Sequence, residues 1–163
     1  MEKLEIIKSK IYSSYSDQEF LRILAYLNFK NKNIVFTNGC FDIIHRGHIE
    51  YLAQSAQLGD NLIIGLNSDE SVTKLKGTNR PIQDQHSRAL ILASMQFVSA
   101  VVIFSEETPF NLINVIKPKI LVKGSDYSIE NIVGSDIVIA NGGEVKTIDF
   151  IEGYSSSSII NKL

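Results

Sequence analysis

Along the chain, short apolar runs alternate with longer stretches whose apolar positions recur at spacings of three and four. The runs are rich in β-branched and aliphatic residues: Ile34 to Thr37 (IVFT), Leu62 to Leu66 (LIIGL), Ala100 to Phe104 (AVVIF), Ile120 to Lys123 (ILVK) and Glu144 to Ile148 (EVKTI). Helical spacing covers 47–58, 87–95 and 108–116 between them. Near-continuous apolar strands separated by helices predict a parallel sheet covered on both faces, with right-handed crossovers. The expected fold is therefore α/β, a doubly wound Rossmann-like parallel sheet of about five strands.

Two segments fit this alternation less directly. In residues 1–32, Leu4, Ile7 and Ile11 and then Phe20, Ile23, Leu24 and Leu27 recur at helical spacing, which predicts one or two amphipathic helices. They form an N-terminal helical extension, and 33–163 forms the main domain. Asp136 to Ala140 (DIVIA) has strand propensity, yet it follows a Gly-Ser pair and precedes Asn141-Gly142-Gly143, a turn or helix-stop signal. Its type stays open.

Composition narrows the function classes. A chain of 163 residues, 44% hydrophobic and 21% charged, suits one globular core. Sixteen Lys and Arg against eighteen Asp and Glu leave a formal charge of -2, without a basic block that would track nucleic acid. No run has signal-peptide or membrane-span length, so no membrane partner and a cytoplasmic location are expected. The single cysteine, Cys40, forms no internal disulfide, in keeping with a reducing compartment.

The candidate chemistry begins in TNGCFDIIHRGHIEYL, residues 37–52. In an open α/β sheet, ligands settle outside the carboxyl ends of the strands, and here IVFT runs into Asn38-Gly39-Cys40-Phe41-Asp42 ahead of a helix starting near His45 to His48. Gly39 allows close approach to the backbone, and Gly47 removes a side chain where a phosphate would meet the helix start. Histidines three apart share one helical face. They could be a metal pair, satisfied structural residues, or donors to phosphate oxygens. A metal needs a third ligand, and the one other histidine, His86, lies in a different segment. Cys40 reads as a small core residue or a lining residue.

Three further stretches carry phosphate-compatible groups. SDESVTKLKGTNRPI, residues 68–82, brings Lys74, Lys76 and Arg80 around Gly77 in an expected flexible basic loop after the second strand, and Arg88 follows on the next helix. GYSSSSII, residues 153–160, places Ser155, Ser156 and Ser157 before an apolar helical tail, where they could cap the helix, bind phosphate oxygens, or both. ILVKGSDY, residues 120–127, ends the fourth run with Lys123, Gly124, Asp126 and Tyr127, a local ion pair or a base- or sugar-reading turn. There is no GxxxxGK[ST] loop and no GxGxxG turn, so phosphates would have to be held by other means.

The pattern Gly39-x-Phe41-Asp42-x-x-His45-x-Gly47-His48 resembles the signature of the HxGH nucleotidyltransferase superfamily, whose members join a nucleoside triphosphate to a phosphate-bearing acceptor and release pyrophosphate. From Ile34 onward the resemblance is closer, to the D-glycero-β-D-manno-heptose 1-phosphate adenylyltransferases, carried by TNGCFDIIHRGHIEYL, LGDNLIIGLNSDESVTKLKG, RPI, LVKGSDY, ANGGEV and EGYSSSSII in that order. The resemblance implies AMP transfer from ATP to the heptose 1-phosphate, giving ADP-heptose for lipopolysaccharide core or surface glycan. Mg²⁺ would be bound through the triphosphate with no protein metal site.

It further implies His45, His48 and Lys76 as catalytic residues. Asn38, Gly39, Cys40, Phe41, Gly47, Lys74, Arg88, Lys123, Gly124, Asp126, Ser155, Ser156 and Ser157 would form the nucleotide site. A homodimer and a separate sugar kinase in the same pathway are implied as well. Ser125 stands where a second glycine is expected, and Phe150 where small cytidylyltransferases carry an arginine that holds CTP. The alternatives are a cytidylyltransferase acting on a polyol phosphate such as glycerol 3-phosphate, and a non-catalytic nucleotide-binding module.

Overall fold

A computed structural model describes residues 2–125, 128–149 and 153–160, excepting the side chains of Glu130 and Ser157. The elements, in chain order, are α1 (Lys3–Lys8), β1 (Ile11–Tyr12), α2 (Gln18–Phe29), β2 (Ile34–Gly39), α3 (Arg46–Ala56), β3 (Asn61–Asn67), α4 (Asp69–Lys76), α5 (Gln85–Ser94), β4 (Val98–Phe104), α6 (Phe110–Ile116), β5 (Ile120–Gly124), a 3₁₀ turn (Ile129–Asn131), α7 (Ser135–Ala140), β6 (Glu144–Ile148) and α8 (Ser156–Ile160). The six strands form one sheet in the order β1-β4-β3-β2-β5-β6, and every pairing is parallel.

Alternation along each strand builds two cores. Phe36 and Ile63 face one side, where they pack with Phe20, Leu24 and Leu27 of α2 and Leu112, Ile113 and Ile116 of α6. Val35, Leu62 and Ile64 face the other, against Tyr51 and Leu52 of α3 and Ala89, Leu92 and Ala93 of α5. The sheet is thus doubly covered, as the apolar runs predict.

Two expectations change and one open question is resolved. The sheet has six strands rather than about five, because the segment 1–32 is not purely helical: Ile11 and Tyr12 pair with Val101 and Val102 at the sheet edge. Two residues are too short a run to register as a strand by periodicity. The open segment at 136–140 is helical, α7, halted at Asn141 and the positive-φ Gly142 (φ 71°). The stretch expected as a flexible basic loop is largely the helix α4. Ser68 caps it by accepting the Ser71 N–H at 3.2 Å, Asp69 and Glu70 occupy its first turn, and Lys74 and Lys76 its last, each complementing the helix dipole.

Candidate active site

Strand order reverses beside β2, which pairs with β3 on one side and β5 on the other. Crossovers therefore leave in opposite directions there and open a crevice outside the carboxyl ends of the strands. A cleft of about 500 Å³ lies at that place. Its floor is Asn38 and Gly39 from the end of β2, Asn67 from β3 and Lys123 and Gly124 from β5. Lys123 Nζ donates to Asn38 Oδ1 at 2.5 Å, tying the ends of β2 and β5 across the reversal.

The histidine pair stands at the start of α3. His45 is the N-cap residue, and its Nδ1 accepts the His48 backbone N–H at 3.4 Å. An accepting Nδ1 is unprotonated, so the proton of neutral His45 sits on Nε2. The two rings stack with centroids 3.8 Å apart and 22° between planes, and Phe41 meets His48 edge-on at 5.3 Å. Burial lowers both imidazole pKa values. For His48 the fall reaches about 4, because the neighbouring charges of His45 and Lys76 add to burial while the Ile43 carbonyl only partly opposes them. His48 is therefore neutral at physiological pH. His48 lines the cleft; His45 is not among its lining residues and reaches it only through the ring it stacks on His48.

Gly47 has a different neighbourhood from the one its position suggests. A Cβ there would lie 3.1 Å from His45 Cε1 and Nδ1 and 3.3 Å from Tyr154 Cβ. The missing side chain makes room for the His45 ring and for Tyr154, whose ring also lies 5.7 Å from the Arg46 guanidinium. Gly47→Ala is expected to displace the His45 ring and lower turnover by about tenfold to a hundredfold, since misplacement near the chemistry is costly. Steady-state kinetics beside a thermal melt check this; wild-type turnover in the variant would show that the ring accommodates the methyl.

The basic groups separate. Lys76 lines the cleft from the end of α4. Lys74 does not: it points along the helix surface to Glu70, 2.6 Å away, with both side chains mostly exposed. Arg88, expected at the nucleotide site, is not among the residues lining the cleft: its side chain is fully buried and its guanidinium is already committed. Nε donates to Gln83 O at 3.0 Å, one terminal nitrogen to Cys40 O at 2.6 Å and Asn67 O at 2.9 Å, and the other to Asp69 Oδ1 at 2.7 Å. It fastens the ends of β2 and β3 to α4 and the loop before α5.

Asp42, which the motif contains but to which sequence reasoning assigned no role, has a comparable task. It is 1% exposed. Its carboxylate accepts the Ile82 N–H at 2.8 Å, the Gln83 N–H at 3.0 Å and Arg80 Nε at 2.6 Å. Burial alone would raise its pKa, but these hydrogen bonds and the Arg80 charge outweigh burial and hold it below the usual carboxylate range. The signal that could have found it is the Pro81-Ile82-Gln83 sequence, where the N–H groups of Ile82 and Gln83 needed an acceptor from another segment.

Cys40 and Phe41 line the cleft, with Phe41 at φ 45° so that its ring folds back over Gly39. Burial pushes the Cys40 thiol up, away from a reactive thiolate. At the far rim Ser156 Oγ donates to Ile43 O at 3.1 Å, docking α8 on the loop before α3. Ser155 Oγ accepts the Ser158 N–H at 3.0 Å, which makes it the cap of α8. Asp126 and the Ser157 side chain lie outside the described residues. Cleft residues that the sequence reading did not single out include Tyr51, Asn67, Glu107, Thr108 and Pro109.

The fold and the cleft define a nucleotidyltransferase-type site, and residues 36–162 match the cytidylyltransferase-like family model. The chain belongs to that family. Among its relatives, the bifunctional protein HldE of Campylobacter fetus subsp. fetus is 49% identical over 163 residues, which cover 99% of this chain and 34% of that protein. The chain thus spans about a third of the length of the curated relatives it matches. The crystal structure of a lipopolysaccharide core biosynthesis protein from Thermoplasma volcanium GSS1 superposes with a TM-score of 0.61 at 28% identity, over 76% of this chain and 99% of that one. Pantoate-β-alanine ligase from Francisella tularensis, solved with β-γ ATP and β-alanine, shares the fold with a TM-score of 0.62 at 16% identity, over 93% of this chain and 76% of that one.

Proposed function

We propose that this chain transfers AMP from ATP to a sugar 1-phosphate, specifically D-glycero-β-D-manno-heptose 1-phosphate, giving ADP-heptose and pyrophosphate for lipopolysaccharide core or surface-glycan synthesis. The observation that carries the reading is the meeting, in one cleft at the strand-order reversal, of neutral His48, Lys76 and the joined ends of β2 and β5. The relationship to HldE and to a lipopolysaccharide core biosynthesis protein supports the sugar.

In the proposed reaction an acceptor phosphate oxygen attacks the α-phosphorus of ATP in line, and the bond to the β-phosphate oxygen breaks. Such transfers need positioning and charge stabilisation rather than a protein nucleophile. His45 and His48 donate to phosphoryl oxygens as neutral imidazoles, and Lys76 supplies positive charge. Lys123, Gly124 and Ser156 line the nucleotide side.

Among the described residues no three His, Cys, Asp or Glu side chains converge as a metal cage. Mg²⁺ carried by the triphosphate would supply neutralisation of the phosphate charge. No helix among the described residues is long and apolar enough to cross a membrane.

The test is pyrophosphate release over a matrix of ATP and CTP against heptose 1-phosphate, glycerol 3-phosphate and other sugar phosphates. Release is expected with ATP and the heptose phosphate. Preference for CTP with a polyol phosphate would replace this reading with the cytidylyltransferase one, and nucleotide binding without pyrophosphate from any pair would leave a binding module.

A further inference from the structure

Every parallel strand ends at the same side of the sheet, so the residues that follow β1 lie beside those that follow β4, its neighbour. Tyr15, three residues past β1, donates its hydroxyl to Glu106 Oε1 at 2.5 Å, and Glu106 is two residues past β4. Asn111 of α6 lies beside both side chains and acts to lower both pKa values. The Ser105 backbone N–H donates to Glu106 Oε2 at 3.1 Å. The Glu106 carbonyl accepts Ser71 Oγ at 3.4 Å, and Ser71 Oγ in turn accepts from Asn67 Nδ2 at 2.9 Å. Asn67 lines the cleft, as do Glu107, Thr108 and Pro109, the residues immediately after Glu106. Burial would raise the Glu106 pKa, but these bonds hold it below the ordinary range, so the anchor is a carboxylate.

We infer that Tyr15 is a positioning residue for the acceptor side of the cleft: the segment before α2 holds the wall at 107–109 through Glu106. The cleft divides at β2, where His48 stands. The β5 side presents Lys123 and Gly124 and the rim Ser156, groups assigned above to the nucleotide; the β3 and β4 side presents Asn67, Glu107 and Thr108, uncharged and acidic polar groups suited to sugar hydroxyls, together with Lys76 from α4, which suits a phosphate. Tyr15 touches none of the reacting groups and acts only by fixing the backbone that carries Glu107 and Thr108. This inference rests on the nucleotidyltransferase reading.

The deciding experiment uses the full chain with Tyr15→Phe, which keeps the ring and removes the donor. The acceptor KM is expected to rise about tenfold, the scale of one hydrogen bond to a charged group, with kcat and the ATP KM within about twofold of wild type. Amide exchange at 105–108 should quicken while the core strands stay protected. In a Glu106→Gln background, where a neutral acceptor remains for Tyr15, adding Tyr15→Phe should cost less than it does alone. An unchanged acceptor KM overturns the inference, as does an equal rise in both KM values with a lowered melting temperature, the sign of a merely structural role. If wild type turns over no acceptor, the functional reading fails; the exchange measurement then decides alone, and unchanged exchange at 105–108 refutes the tether.

Discussion

His48→Ala is expected to lower kcat at least a hundredfold with a smaller change in the KM for ATP. A donor aimed at charge that develops in the transition state is worth about two to three powers of ten, more than a contact made equally to bound substrate. The site adds a specific condition: His48 has a pKa of about 4, so it donates as a neutral imidazole. The rate above pH 5 should then show no inflection from this residue, whereas an imidazolium acid would lose activity as pH rose through about 6.5. The same depression has a folding consequence. Between about 4 and 6.5 the unfolded chain binds a proton at this position and the native chain does not, so stability is full above the unfolded value and is lost as pH falls toward 4. Wild type should melt lower at pH 5 than at pH 7, and His48→Ala should reduce that difference. Kinetics of the variant within a few-fold of wild type would remove His48 from the chemistry.

The parts of this molecule legible in its sequence are those governed by periodicity. The strands β2 to β5 announce themselves because each buries most of its length, α3, α5 and α6 because each buries one face at helical spacing, and the exposed β6 only by its β-branched residues; the cleft position follows once the alternation is recognised. The motif histidines were singled out for another reason, the resemblance of Gly39-x-Phe41-Asp42-x-x-His45-x-Gly47-His48 to the HxGH signature, since their spacing alone left a metal pair, structural residues and phosphate donors open. What escaped notice depends on pairing between distant segments. Ile11 and Tyr12 are a strand only because Val101 and Val102 lie beside them. Arg88 looks like any helical arginine, and four acceptors contributed by Gln83, Cys40, Asn67 and Asp69 turn it into an internal fastener. Lys74 and Lys76 are two apart and so diverge on a helix, one toward Glu70 and one toward the cleft. A charge count treats them alike, and only the recognition of Ser68 as a cap separates them.

Asp42→Ala is expected to be the most damaging substitution outside the histidine pair, in stability and activity together. The side chain is 1% exposed and its partner Arg80 13% exposed, so the pair is screened little by water. Removing the carboxylate leaves the Arg80 guanidinium and the Ile82 and Gln83 N–H groups without their acceptor, and truncating one member of a buried pair costs about 3 to 5 kcal/mol. For a domain of this size that lowers the melting temperature by roughly 6 to 20 °C. Activity falls by a separate route. Asp42 lies between the strand end that carries Asn38 and Gly39 and the loop that leads from Lys76 through Arg80 to Gln83, whose carbonyl holds Arg88. Once that loop is released, Lys76 loses its fixed relation to His48, and the KM for ATP is expected to rise about tenfold even at a temperature where the variant is fully folded. Asp42→Asn keeps an oxygen for the backbone N–H groups but loses the charge opposite Arg80, so it should fall between the two in both readouts. Thermal melts and ATP kinetics at a low, common temperature decide the matter. An Asp42→Ala protein that melts low yet binds ATP normally when folded would make the clamp a stability device alone, with Lys76 held by α4 itself.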